Sequence, residues 1–315
     1  MSENTMAKNN DVSLIEKAAG RLARSERPLG PLSKRPSEAR AERFPAHPEG
    51  PSQARAAKPA AAPPREREVA CLDFQRLGAA GFITRDNTQT RTSEEFRLIK
   101  RSILRTYKEA NDPNSNIIMV TSALSGEGKT FTAINLAMSI AFERDFRVLL
   151  VDADVRKADI LSHLGIKPGR GLVDVLVDDT LDLADVMIRT DFEGLTILAS
   201  GMSHSLSTEL LASQGMADLV DEISRRYADR IVVFDTPPVL LASEAAALAQ
   251  HVGQTVFVVK AESTSREIVK EALEVLKPAR NVALVLNAVH PQLGGNKFRY
   301  GSSKVYVGGT TASVE

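Results

Sequence analysis

The 315-residue chain carries 40 Lys and Arg against 40 Asp and Glu, a formal net charge of zero, with 43% hydrophobic and 25% charged residues. That balance excludes a wholly disordered or fibrous chain, and the length suits one domain of about 200 to 250 residues with additional material. The charge is only mildly divided, with 13 basic and 9 acidic residues over positions 1–70, which argues against nucleic acid as a partner.

Cys71 is the single cysteine, so an intramolecular disulfide and a cysteine-based zinc cluster are excluded and a reducing, cytoplasmic setting is expected. No apolar run approaches the roughly 18 to 20 residues that span a bilayer, and MSENTMAKNN has no apolar signal-peptide core. Direct membrane insertion is therefore not expected; a peripheral position at a membrane would come through a partner.

In chain order, Leu14, Ile15, Ala18, Ala19 and Leu22 recur at helical spacing behind a capping Ser13. Residues 1–25 read either as a short docking segment or as a frayed helix without consequence. Nine of the fifteen prolines then fall between Pro28 and Pro64, and a segment so poor in branched aliphatics cannot offset its ordering entropy. Residues from 26 to about 70–75 are expected to be a disordered tether.

The folded part alternates strand and helix signals. Thr92 and Glu95 suggest a capping box opening a helix with Phe96, Ile99, Ile103 and Tyr107 on its apolar face, closed by Asn111-Asp112-Pro113. Ile117–Val120 predicts a buried strand, followed by a Gly-rich turn and a helix from about Lys129 to Phe142. Further continuous apolar runs at Val148–Val151, Ile231–Phe234, Val256–Val259 and Val282–Leu286 predict a parallel sheet covered on both faces. The fold class is α/β, doubly wound and mainly parallel, over about 80–295, with a flexible tail at 296–315.

Three strand ends carry the chemistry. Ala123-Leu124-Ser125-Gly126-Glu127-Gly128-Lys129-Thr130 lies between a predicted strand and a helix and reads as a phosphate-binding loop with Ala in the first glycine's place. Loop amides and the helix N-terminus face the anion, Lys129 adds a point charge at the β/γ oxygens, and Thr130 is placed to ligate Mg²⁺. The stretch Ser125, Gly126, Glu127, Gly128, Lys129, Thr130 and Phe131 is the expected nucleotide contact. Ser122 and Ser125 are further donors, and Glu127 fits either loop packing or chemistry.

Asp152-Ala153-Asp154-Val155-Arg156 and Asp235-Thr236-Pro237-Pro238 each follow an apolar strand, at the end where open α/β sheets bind ligands. Carboxylates there are costly without a cation between them, and Mg²⁺ supplies one. Lys129, Asp152, Asp154 and Asp235 thus describe an ATP–Mg²⁺ site that positions a γ-phosphate. Water as acceptor would make an ATPase, and a hydroxyl a kinase. Asn287, after the last strand, either reads a base edge or packs in a turn, and Arg156 either touches phosphate or forms a surface ion pair. The histidines, among them His163, His204 and His251, show no metal-ligand spacing.

The order of Gly128-Lys129-Thr130, Asp152-Ala-Asp154-Val-Arg156 and Asp235-Thr-Pro-Pro resembles the bacterial tyrosine kinases, whose fold is of the P-loop NTPase type, over roughly residues 80–300. Ser13–Ala18 followed by a Pro/Ala tether is similar to the soluble tyrosine autokinases of PEP-CTERM/exosortase exopolysaccharide loci. This resemblance implies ATP-dependent tyrosine autophosphorylation, with Lys129 on phosphate, Thr130, Asp152, Asp154 and Asp235 on Mg²⁺, and Asp152 or Asp154 as base. It also implies a membrane-embedded chain-length regulator as activator, and ring assembly through a helix carrying Glu94, Arg97 and Lys100 or Arg101. The acceptors would be Tyr300 and Tyr306, a sparser pair than the family's dense tyrosine cluster, while Tyr107 and Tyr227 read as packing residues. The competing reading is a positioning-type ATPase switch; Leu124 stands where that class carries its signature lysine.

Overall fold

The computed structural model describes residues 69–202 and 206–289. The expected docking segment at 1–25, most of the tether, His204, the tail at 296–315 and the acceptors Tyr300 and Tyr306 lie outside them.

Among the described residues the sheet has eight strands: β1 (Val69–Ala70), β2 (Ile117–Ser122), β3 (Arg147–Asp152), β4 (Met187–Thr190), β5 (Leu195–Leu198), β6 (Arg230–Asp235), β7 (Gln254–Lys260) and β8 (Val282–Asn287). Their order is β1-β4-β5-β3-β6-β2-β7-β8. Every pairing is parallel except β4 with β5. The five predicted strands are β2, β3, β6, β7 and β8, each extended by one to three residues.

The apolar runs are continuous because both sheet faces are covered. Ile118, Val120, Val148, Leu150, Ile231 and Val233 point into one core, under helices α2 (Arg91–Glu109) and α3 (Lys129–Ala141). Ile117, Met119, Leu149, Val151, Val232 and Phe234 point into the other, under the helices Gln214–Arg226 and Arg266–Val275. Each such fully buried side chain contributes about 1.5 to 3 kcal/mol relative to exposure.

Two predicted boundaries shift. Helix α2 opens at Arg91, capped by Thr90, whose side chain accepts from Ser93 N at 3.3 Å. Thr92 already lies inside the helix, and Glu95 turns to Arg91 at 2.7 Å instead of closing a capping box. Residues 69–75, at the end of the expected tether, are part of the fold: Val69 and Ala70 pair with Arg189 and Thr190. Asp73 then caps α1 (Phe74–Ala79) by accepting from Arg76 N at 2.9 Å, and Phe74 packs on Phe192. Tyr107 packs against Phe146, and Tyr227 is buried in the second core.

The topology places the site. From β2 the chain passes through α3 to β3, whereas from β6 it crosses β2 to reach β7 on the opposite side. Strand order therefore reverses at β2, leaving a crevice beyond its carboxyl end. Asp152 and Asp235 are register partners on β3 and β6, so both carboxylates reach that crevice at one height.

Candidate active site

The loop between β2 and α3 is built around two left-handed glycines. Gly126 has φ +81 and nothing within 4 Å of where a Cβ would stand, leaving room for an approaching ligand. Gly128, φ +93, caps α3 and lies so close to the Asn287 amide that a Cβ there would collide with it. Glu127 is buried and braces the loop: Oε2 accepts from Leu124 N at 2.6 Å, and Oε1 accepts from the Thr264 hydroxyl. Asn287 Nδ2 donates to Glu127 O at 2.8 Å. Ser122 Oγ donates to Leu124 O at 2.7 Å, within the same loop.

Beneath the loop, Lys129 Nζ lies 2.5 Å from Asp154 Oδ2 and 4.0 Å from Asp235 Oδ1. Thr130 Oγ1 is 3.4 Å from the same ammonium. Burial works against the charge on Lys129, but Asp235, Asp154 and Asp152 together hold its pKa above the ordinary lysine value. Asp152 is pushed well above the carboxylate range, by burial first and then by Asp235. Asp235, wholly buried, rises to about 7, burial outweighing the attraction of Lys129.

A cleft of about 270 Å³ opens over this group, lined by Ser125, Gly126, Gly128, Lys129, Thr130 and Phe131 from the phosphate loop and helix α3. Asp154, Arg156, Lys157 and His163 form a second wall, and Pro237, Pro238 and Leu241 a third. The structure thus brings together the expected loop, Lys129, Thr130 and the three strand-end carboxylates. Asn287 reaches the loop backbone.

On α2, Glu94 pairs with Arg97 at 2.5 Å, and Arg101 is exposed. Lys100, one of the two expected alternatives for the last basic position, is buried, donating to Ser139 O at 3.1 Å and pairing with Glu143 at 2.5 Å, which ties α2 to α3. Glu94, Arg97 and Arg101 share one helical stripe by spacing, whereas Lys100 turns inward.

The donor set fits Mg²⁺ with a nucleotide. Asp152 Oδ1 and both Asp235 oxygens are buried without a hydrogen-bond partner, and such atoms need a cation or a donor. Among the described residues no three His, Cys, Asp or Glu side chains converge tightly enough to cage a metal unaided. That suits Mg²⁺, which is held by one or two carboxylates, waters and substrate phosphates. Thr130 and one or two of Asp152, Asp154 and Asp235 would hold it, waters and phosphates completing the shell.

Sequence reasoning assigned no role to several residues of this site. His163, stacked near Phe82, lines the cleft without metal-ligand spacing. Thr264 and Glu244 reach it only through long-range packing, which no local pattern records.

Fold, loop and buried carboxylates define a P-loop nucleotide-binding α/β protein. The model of the AAA domain family matches residues 115–283. Tyrosine-protein kinase YwqD of Bacillus subtilis is 32% identical over 192 residues, covering 61% of this chain and 78% of that protein. The putative tyrosine-protein kinase EpsB of Ralstonia nicotianae is 34% identical over 198 residues, covering 62% of this chain but only 25% of its own length. Among solved structures, the kinase domain of Escherichia coli tyrosine kinase ETK aligns with TM-score 0.59 at 27% identity, over 72% of this chain and 84% of that one. The chain belongs to the bacterial tyrosine-protein kinase family, within the AAA domain family.

Proposed function

We propose that the chain is an ATP-dependent protein-tyrosine autokinase that transfers the γ-phosphate in trans to tail tyrosines, Tyr300 and Tyr306. The observation that carries this reading is a cleft lined by Lys129, Thr130 and Asp154, with the buried Asp235 4.0 Å from the Lys129 ammonium and Asp152 beside it in register, in a chain related to tyrosine kinases. Lys129 draws charge from the β/γ oxygens, and Mg²⁺ would neutralise the phosphates and spread the developing charge. A tyrosine hydroxyl, with reference pKa about 10, needs a base to become nucleophilic. Asp152 or Asp154 would supply it: Asp154 lines the cleft, with its oxygens engaged by Lys129 Nζ at 2.5 Å and Lys157 N at 3.2 Å, and Asp152 lies deeper, with Oδ2 engaged by Ile160 N at 3.2 Å.

The same reading assigns the protein to exopolysaccharide polymerisation or export, at the cytoplasmic side of the inner membrane. A membrane-embedded chain-length regulator would act as activator. No described helix is long and apolar enough to cross a membrane, which is compatible with attachment through such a partner. Ring assembly would use the Glu94–Arg97–Arg101 stripe. Residues 1–25 would dock the partner, with the segment before residue 69 as tether.

The test mixes full-length Lys129→Met, as acceptor, with a Tyr300→Phe/Tyr306→Phe enzyme in Mg²⁺-ATP. Phosphotyrosine on the Lys129→Met chain supports transfer in trans to the tail. Phosphotyrosine only on the other chain would move the acceptors elsewhere. Hydrolysis with no phosphotyrosine, even with the partner's cytosolic segment added, would leave an ATPase switch.

A further inference from the structure

Two loops face each other across the cleft, residues 153–159 after β3 and 236–242 after β6, and Arg156 ties them together. Its Nη1 donates to Leu241 O at 3.1 Å, and its Nη2 lies 3.4 Å from Glu244 Oε1. The two partners differ sharply in environment: the Arg156 side chain is 52% exposed, and that of Glu244 is 1% exposed. Neither Glu244 oxygen has a hydrogen-bond partner, so the ion pair is the carboxylate's one polar contact among the described residues. Its other surroundings include Ala153, Met216, Leu248 and Thr236, and the Thr236 hydroxyl donates to Val120 O at 3.1 Å instead.

A carboxylate buried against apolar walls with one imperfectly aligned partner lowers stability relative to an apolar side chain of similar volume. Local rules are broken in this way chiefly where function requires it. Arg156 lines the cleft beside Asp154, on a different wall from the loop that bears Lys129. Held from behind by Glu244 and Leu241 O, its guanidinium stands as a cation on that wall of the cleft.

We propose that Glu244 is a positioning residue: through Arg156 it fixes the spacing of the two loops around the γ-phosphate, and so governs transfer to the acceptor rather than nucleotide binding. The proposal rests on the phosphoryl-transfer reading above.

A double-mutant cycle on the full-length chain tests it, with wild type, Glu244→Gln, Arg156→Met and the double variant. Each is measured for kcat and KM of tyrosine phosphorylation, for affinity toward a fluorescent ATP analogue, and for Tm. The expected result is a kcat about tenfold lower in Glu244→Gln, with analogue affinity within about twofold of wild type and Tm equal or higher. The double variant should be no slower than Arg156→Met alone, because both changes remove one linkage. Losses that multiply, a kcat loss that tracks a fall in Tm, or an affinity loss as large as the rate loss would each overturn the proposal. Should Glu244→Gln fold poorly, Glu244→Leu, which matches the apolar walls, carries the same comparison.

If wild type makes no phosphotyrosine, the kinase reading falls. The four proteins are then scored on Mg²⁺-dependent ATP hydrolysis. There a tenfold, non-additive loss keeps the positioning role, and an unchanged rate or multiplying losses remove it.

Discussion

Asp235→Asn should make the nucleotide-free protein more stable while disabling it. Asp235 is wholly buried, neither of its oxygens has a hydrogen-bond partner, and its pKa stands at about 7 against 3.8 for an ordinary aspartate. A carboxyl whose folded pKa is raised favours the folded state below the unfolded value. That contribution is lost as pH rises from about 4 through 7 and stays lost above. Over about three pH units, at about 1.36 kcal/mol each, the loss amounts to about 4 kcal/mol at pH 8. Asparagine keeps the shape without the charge, and Lys129 keeps Asp154 at 2.5 Å, so the lysine is not stranded.

At about 2 to 4 °C per kcal/mol for a domain of this size, Asp235→Asn should melt roughly 8 to 16 °C above wild type at pH 8 without nucleotide. The gap should narrow as pH falls below 7. Adding Mg²⁺-ATP should stabilise wild type far more than the variant, by mass action on the cation site. The assay is thermal unfolding followed by circular dichroism between pH 5 and pH 8.5. A variant less stable than wild type at pH 8 would refute the reasoning, because it would show Asp235 to be a satisfied structural group.

Lys129→Met should reduce phosphate transfer by at least about 10²-fold and lower Tm at neutral pH, because the buried Asp154 and Asp235 lose their cation, measured by phosphate release and by melting. Gly128→Ala should abolish nucleotide binding in an ATP-analogue titration. Its φ of +93 and the adjacent Asn287 amide both exclude a Cβ, so adding Asn287→Ala should not restore it. Thr264→Ala removes one support of the Glu127 brace and should weaken nucleotide affinity about fivefold, a single hydrogen bond's worth of about 1 kcal/mol. Lys100→Ala loses the contacts with Ser139 O and Glu143 and should lower stability by about 2 kcal/mol. Arg101→Ala should leave Tm unchanged and, on the assembly reading, reduce oligomer size in sedimentation.

Strands were legible where burial on both faces made them so. β2, β3, β6, β7 and β8 show as unbroken apolar runs, and Asp152 and Asp235 show as the first charges at the ends of β3 and β6. β1, β4 and β5 did not show: they are two to four residues long and lie at or near a sheet edge, where partial burial erases the run. Spacing leaves Lys100 and Arg101 as alternatives for the last basic position of the helix motif; only the packing of α2 on α3 shows that Lys100 is buried. The brace from Glu127 to Thr264 spans 137 positions and the Arg156–Glu244 pair joins two separate loops, so neither leaves a trace in local pattern. Thr90 caps α2 where the residue pattern pointed to Thr92, because backbone conformation, not residue type, decides where the helix opens.

The most direct test of the central claim is to incubate the full-length chain with γ-labelled ATP and Mg²⁺ and to identify the labelled residue after acid hydrolysis. Labelled phosphotyrosine in wild type, absent from Lys129→Met, is the predicted result. Label recovered only as inorganic phosphate would contradict it.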